Sequence, residues 1–323
     1  MNDPRTPRFT PPRTWTRNAL RSACSVFAMT LALMMSLGIG ISSAHAAAAG
    51  TPKQQCSTPD ITGGGSCVSG PVALTAQERA IAAKKNALAE EYQKVLSGAV
   101  SSATYQSDWQ AFIRQYGGPT KMTLARANSI NIIPDCVDPC DVHTLGLTQH
   151  PQLTWYYCGP ATAQEVLGVR GVNVSQSTLA GNNYLKTDAT GQTSWNPYVM
   201  GPTLNALTGS SFYIAVNGYD VGGNITLTTW ESNLQQDINQ GWALAGNTVE
   251  NANSSPHLPG HPSNLTIYHW IAVYGYSNFG ATTYYADSIS GTNFWSWSPN
   301  VARYNSFASS NMVILLNHRG YIW

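Results

Sequence analysis

Charge is scarce in this chain of 323 residues: Lys, Arg, Asp and Glu together make up 10% of it, and the formal net charge is +1. An ordinary soluble domain carries roughly a quarter charged residues. With no strongly basic stretch to neutralise phosphates, a nucleic-acid partner is disfavoured. Long apolar runs are equally rare. The one such run, Val26 to Ile41, lies near the start, and no later stretch would hold the chain in a membrane. An adjacent Arg pair is missing from the basic segment before that run, which favours a general export route over a twin-arginine one.

What is present at the start reads as a leader. Arg5, Arg8, Arg13, Arg17 and Arg21 precede the apolar run, and Ala44-His45-Ala46 supplies a small-x-small cleavage signal. Residues 1–46 are therefore expected to be a signal peptide, with an uncleaved anchor as the competing reading, and the rest to be secreted. Removing five Arg and Asp3 leaves 12 basic against 15 acidic residues, net −3. The remainder is rich in Tyr, Trp, Asn, Ser and Gly. It is large enough to bury a full core and to hold one catalytic domain with an appendage.

Five cysteines follow the leader, an odd number for an exported chain. Cys56 and Cys67 bracket Gly63-Gly64-Gly65, and Cys136 and Cys140 flank Val-Asp-Pro, so two local disulfides are expected, with Cys158 as the odd thiol. A metal site at Cys136 and Cys140 with His143 and His150 is the alternative, weakened by the crowding of Asp135, Asp138 and Asp141.

Cys158 stands where a polar, aromatic loop, Gln152-Leu-Thr-Trp-Tyr-Tyr, meets a helical pattern from Ala161 to Leu167. Pro160 suits a first helical turn, because no N–H is needed there and its φ is already helical. The cysteine then lies at a helix N-terminus, where orphan N–H groups and the macrodipole favour an anion such as a thiolate. The plain alternative is a small, buried, apolar cysteine.

Upstream, residues 75–116 read as a helical hairpin. Thr75 and Glu78 form a capping box; Ile81, Leu88, Tyr92 and Val95 make one apolar stripe, and Tyr105, Trp109, Phe112, Ile113 and Tyr116 a second. A helical layer packed on the main domain is the simple reading, and a removable propeptide the functional one. Residues 47–147 are thus taken as hairpin plus disulfide-pinned linker, and 148–323 as the catalytic domain.

Within that domain, helices are expected around 160–168, 175–185 and 197–208, the last capped by Asn196 with Pro197 first, and another opening at Thr228-x-x-Glu231. Strands are expected at Phe212 to Val216, Trp242 to Gly246, Tyr268 to Tyr276, Thr282 to Asp287 and Met312 to Leu316. Helices first and an antiparallel sheet late define an α+β fold. The loop 249–266 carries His257-Leu-Pro-Gly-His261, a weak metal signal because Pro259 and Gly260 break any helix, and is expected to be a flexible rim.

A nucleophilic thiol needs a base. His269 opens the best strand pattern, and Asp287 ends the next, so a hairpin would bring a carboxylate to the imidazole. The bland readings are a structural histidine and a turn-capping Asp; Asn293 is the alternative orienting residue. Gln152, six residues before Cys158, is the candidate oxyanion donor and Gln149 its rival.

As a set, Gln152, Tyr157-Cys158-Gly159-Pro160-Ala161, His269-Trp-Ile-Ala-Val-Tyr-Gly-Tyr and Tyr285-Ala286-Asp287 resemble the double-glycine, bacteriocin-processing peptidases of the papain-like clan, in their stand-alone exported form. The resemblance spans roughly residues 148–316. It implies a papain-like fold with Cys158 as nucleophile, His269 as base, Asp287 as orienting residue and Gln152 as oxyanion donor, without metal or cofactor. The membrane bundle and ATPase of exporter-fused members have no counterpart here, so cleavage of leaders during export does not carry over.

Two classes of function follow. One is a secreted thiol hydrolase acting on peptide or protein amide bonds, with a cell-wall amidase or acyltransferase as variants of the same chemistry. The other is a catalytically silent module on the same fold that holds a polymer with Trp295, Trp297 and Trp323.

Overall fold

The computed structural model describes residues 70–118 and 142–323. The expected leader and the loops of Cys56/Cys67 and Cys136/Cys140 lie outside those residues, and with them both expected disulfides and the cysteine pair of the metal alternative. His143, from that same metal alternative, stacks on Tyr276 with ring centroids 4.8 Å apart.

Thr75 caps α1 (Ala76–Leu96) as its spacing predicts: Glu78 N–H donates to Thr75 Oγ1 at 3.2 Å and Thr75 N–H to Glu78 Oε2 at 2.8 Å. Ser101 caps α2 (Ser102–Tyr116) through Thr104 N–H. The buried stripe of α1 is Ile81, Lys85, Leu88 and Tyr92, and that of α2 is Tyr105, Trp109, Phe112 and Ile113. Both stripes enter the core that also holds Cys158, Leu204 and Trp270. The hairpin is therefore built into the folded unit.

Among the described residues the sheet has seven antiparallel strands. In chain order they are β1 (Val142–Thr144), β2 (Ala215–Asn217), β3 (Leu244–Glu250), β4 (Ile267–Ser277), β5 (Thr282–Ala286), β6 (Tyr304–Ala308) and β7 (Gly320–Ile322). The spatial order is β2-β7-β3-β4-β5-β6, with β1 on the far end of β4 opposite Gly275 to Ser277. The sheet thus takes its first strand from residues the sequence reading assigns to the linker.

Neighbouring residues of β4 feed different cores, as the two-residue period of a strand requires. Trp270 and Ala272 join one with α3 (Cys158–Val169) and α6 (Met200–Thr208). Ile271 and Val273 join another with α7 (Leu227–Asn239) and α8 (Ser309–Leu316). Helices cover both faces, where one helical layer was expected. Two short helices, α4 (Gln176–Ala180) and α5 (Thr187–Thr190), lie between α3 and α6.

Several local expectations shift. Residues 312–316 form the end of α8: Met312, Val313, Leu315 and Leu316 are buried while Ile314 is 47% exposed, a helical period hidden inside a continuous apolar run. The Asn196–Pro197 bond is cis, and α6 starts only at Met200 with Val199 as its cap. Thr226, rather than Thr228, caps α7 by accepting from Thr229 N–H at 3.1 Å.

Candidate active site

The α3 helix begins at Cys158, with Pro160 in its first turn and no side-chain cap at its start. The backbone N–H groups of Cys158 and Gly159 have no acceptor inside the helix, so their dipoles converge at the thiol end. Cys158 is fully buried. Gly159 is required by close approach: a Cβ there would fall 2.1 Å from Thr193 Oγ1 and 2.3 Å from Thr193 Cβ. Thr193 is itself tied down, its carbonyl accepting from Trp270 Nε1 at 3.0 Å and its hydroxyl bonding that of Thr187 at 2.7 Å. Gly159→Ala is therefore expected to lose about 1–3 kcal/mol, the usual cost of overpacking, read from the denaturant midpoint. Thr193→Gly should recover part of the loss.

Strand β4 places His269 opposite Thr248 of β3, and Asp287 follows β5 directly. Both side chains are fully buried. His269 Nε2 donates to Asp287 Oδ1 at 3.0 Å. The Cys158 thiol is the other side chain that acts on the ring, adding to the upward pull on its pKa. Burial alone would lower the pKa of His269, but the Asp287 charge overrides it and raises it well above the usual imidazole range. Burial would likewise raise Asp287; the imidazoles of His269 and His261 reverse this and hold its carboxyl well below the ordinary range.

The loop of Asp287 is laced to the loop before Cys158. Gln152 N–H donates to Ser288 O at 2.9 Å and Ser288 Oγ to Gln152 Oε1 at 3.1 Å. Gln149 Nε2 donates to the carbonyls of Asp287 (2.9 Å) and Ser290 (3.1 Å), so Gln149 is a brace for the Asp287 loop. Gln152 Nε2 donates to the carbonyls of Thr154 and Trp155 at 2.9 and 3.0 Å. Its amide thus shapes the turn leading to Cys158 and must release one carbonyl before it can serve an oxyanion. Asn293, the alternative orienting residue, is exposed.

Sequence reasoning missed three carboxylate and imidazole partners. Glu165, two helical turns after Cys158, accepts from His150 N–H at 2.8 Å; burial, the first cause, and the nearby Asp287 charge raise its pKa well above the usual carboxylate value. Its seven-residue spacing from Cys158 is the one signal that could have found it. His261, expected on a flexible rim, is buried, and donates to Asp287 Oδ2 at 3.1 Å. Its Nδ1 lies 2.8 Å from Glu250 Oε1, at the end of β3. Glu250 pairs with Ile267, two residues before His269 on β4, so the strand register brings Glu250 and His269 to one face.

His261, His269 and Asp287 also bring ligand-type atoms within 4.8 Å of one another. The same three side chains are joined by the two His–Asp hydrogen bonds, with which a cation would have to compete.

A cysteine opening a buried helix, an imidazole on the adjoining sheet and a carboxylate behind it describe a peptidase of the papain-like architecture. Comparison with family models agrees: residues 144–311, about half of the chain, match the Peptidase_C39 like family, and the chain belongs to it. No curated protein matches the chain.

Proposed function

We propose that the chain is an exported cysteine peptidase that cleaves peptide or amide bonds through an acyl-enzyme on Cys158. The observation that carries this reading is the buried array Cys158, His269, Asp287 at the start of α3. His269 takes the thiol proton, and the thiolate attacks the carbonyl carbon of the substrate. Negative charge then develops on the carbonyl oxygen, where the Cys158 N–H and the helix dipole stabilise it. As the intermediate collapses, the imidazolium gives its proton to the leaving amine, and the C–N bond breaks. Water, deprotonated by His269, attacks the thioester, releasing the acid and restoring the thiol. Asp287 keeps the Nε2 proton in place throughout.

Leu153 and Trp155, 63% and 47% exposed on the loop before Cys158, offer apolar contact to a bound peptide. A cell-wall amidase or an acyltransferase would use the same groups with a different acceptor or donor. The silent binding module keeps little of its expected aromatic surface: Trp323 is fully buried, Trp297 is 9% exposed, and Trp295, stacked on Trp297 at 5.5 Å, is the one of the three left partly exposed. The export part of the proposal rests on the leader-like pattern of residues 1–46. Among the described residues no helix is long and apolar enough to cross a membrane. We read the hairpin as a permanent part of the enzyme, since its stripes sit in the common core.

The test is alkylation. Iodoacetamide should label Cys158 faster than an ordinary thiol at mildly acidic pH, and hydrolysis of library peptides should fall in step with labelling. The raised pKa of His269 keeps the ring an imidazolium through neutral pH, so this advantage should need the imidazole and fade as pH rises through that raised value. Equal labelling rates in wild type and His269→Ala would overturn the thiolate–imidazolium pair.

A further inference from the structure

His261 is held more tightly than a rim histidine has any need to be. Leu258-Pro259-Gly260-His261 forms a β-turn, with His261 N–H donating to Leu258 O at 3.0 Å. Proline stands second and Gly260, at φ 86°, third, the arrangement in which glycine is favoured. A Cβ on Gly260 would meet Asn300 O at 2.6 Å. The two residues that deny this segment a helix are thus the ones that turn His261 inward.

Once inside, the ring is bounded on every side by groups of the site. Nε2 bonds Asp287 Oδ2 at 3.1 Å, Nδ1 bonds Glu250 Oε1 at 2.8 Å, and the ring packs against Trp297 at 5.0 Å and His269 at 5.6 Å between centroids. Glu250 is fixed in turn by Leu258 N–H at 2.9 Å and by His257, whose Nδ1 lies 3.2 Å from Oε2. An imidazole that meets a carboxylate at each nitrogen satisfies both only by donating twice, which is the imidazolium form. Burial opposes that form, but Glu250 and Asp287 together raise the pKa of His261 to about 9. Asp287 therefore has both oxygens committed: Oδ1 to His269 and Ile289 N–H (3.0 Å), Oδ2 to His261.

We propose that His261 is a positioning residue of this active site, which with Glu250 behind it holds the Asp287 carboxylate in the rotamer that serves His269. The inference rests on the peptidase reading above. It describes a chain of alternating groups, Cys158, His269, Asp287, His261, Glu250, in which the outer pair lies away from the reacting atoms.

The experiment measures Cys158 alkylation by iodoacetamide from about pH 4 to pH 8, spanning carboxylate and imidazole titration, in the full chain. His261→Phe keeps a ring but cannot donate, and His261→Gln restores a neutral donor. The double variant Glu250→Gln/His261→Phe removes one of the two carboxylates left unpaired and serves if the single variant fails to fold. Folding is checked by near-ultraviolet circular dichroism. Loss of positioning predicts labelling slowed about ten- to a hundredfold on the acid side in the Phe variants, the scale of a small misplacement of reacting groups. His261→Gln should recover most of the rate while shifting the acid limb to higher pH, because the positive charge is gone. A folded Phe variant with the wild-type rate and profile overturns the inference. Failure of the peptidase reading looks different: His269→Ala then matches wild type as well.

Discussion

Replacing Asp287 by Ala is expected to lower peptide hydrolysis about 10⁴-fold, the loss found when the carboxylate of a catalytic triad is removed. The carboxylate accepts from His269, from His261 and from Ile289 N–H, all inside the protein. Its loss leaves the Nε2 proton of His269 without an acceptor, frees the ring to rotate and removes the charge that keeps it an imidazolium. The same change strands a second buried imidazole, so stability should fall by about 3–5 kcal/mol, as when one partner of a buried ion pair is removed. Asp287→Asn should be milder. Its carbonyl still accepts from His269 and its amide donates to a neutral His261, so the geometry at the base survives. Activity on a peptide substrate and the denaturant midpoint, measured for both variants, check the two effects separately. Wild-type activity in a folded Asp287→Ala would remove Asp287 from the mechanism.

Lys85→Ala is expected to destabilise the fold by about 3–5 kcal/mol, although it lies outside the family match. Lys85 Nζ is fully buried, 3.1 Å from Asp237 Oδ2, and lies 3.5 Å and 4.1 Å from the ring centroids of Phe212 and Trp323. Burial lowers the pKa of Lys85 to about 8 and raises that of Asp237 to about 6, each opposed by its partner. The pair is thus a costly way to join α1 to α7, and removing one member leaves an uncompensated charge. Replacing both, Lys85→Met with Asp237→Leu, should restore stability to near wild type, because well-packed apolar side chains avoid the desolvation of both ions. Equilibrium unfolding of the wild type and the two variants tests this. A harmless Lys85→Ala would mean that the buried ion pair adds nothing to the docking of the hairpin.

The capping box of α1, the two aromatic stripes and the helix opening at Cys158 were legible because each is a local pattern, set by neighbours within a turn or two. The same locality explains the failures. Met312 to Leu316 is too short and too uniformly apolar to show its period, and it became helix because α8 packs over the strands. Lys85 falls on the stripe of Ile81, Leu88 and Tyr92, yet nothing nearby in sequence announces Asp237 or the Phe212 and Trp323 rings.

In the site, Cys158, His269 and Asp287 could be named from one thiol at a helix start and two strand ends. The partners behind them could not. Asp287 lies 26 residues beyond His261, and Glu250 joins them through the pairing of β3 with β4. The amino-acid sequence by itself determined the candidate nucleophile, its helix, the strands next to the candidate base and carboxylate, and the peptidase family. Tertiary structure alone decided that helices cover both faces of the sheet, that the hairpin shares the core, that Gln152 braces the approach to Cys158, and that His261 stands behind Asp287. The physical reason is range: caps, turns and periodicity act within a few residues, whereas strand register and burial choose a side chain's partners across the whole fold.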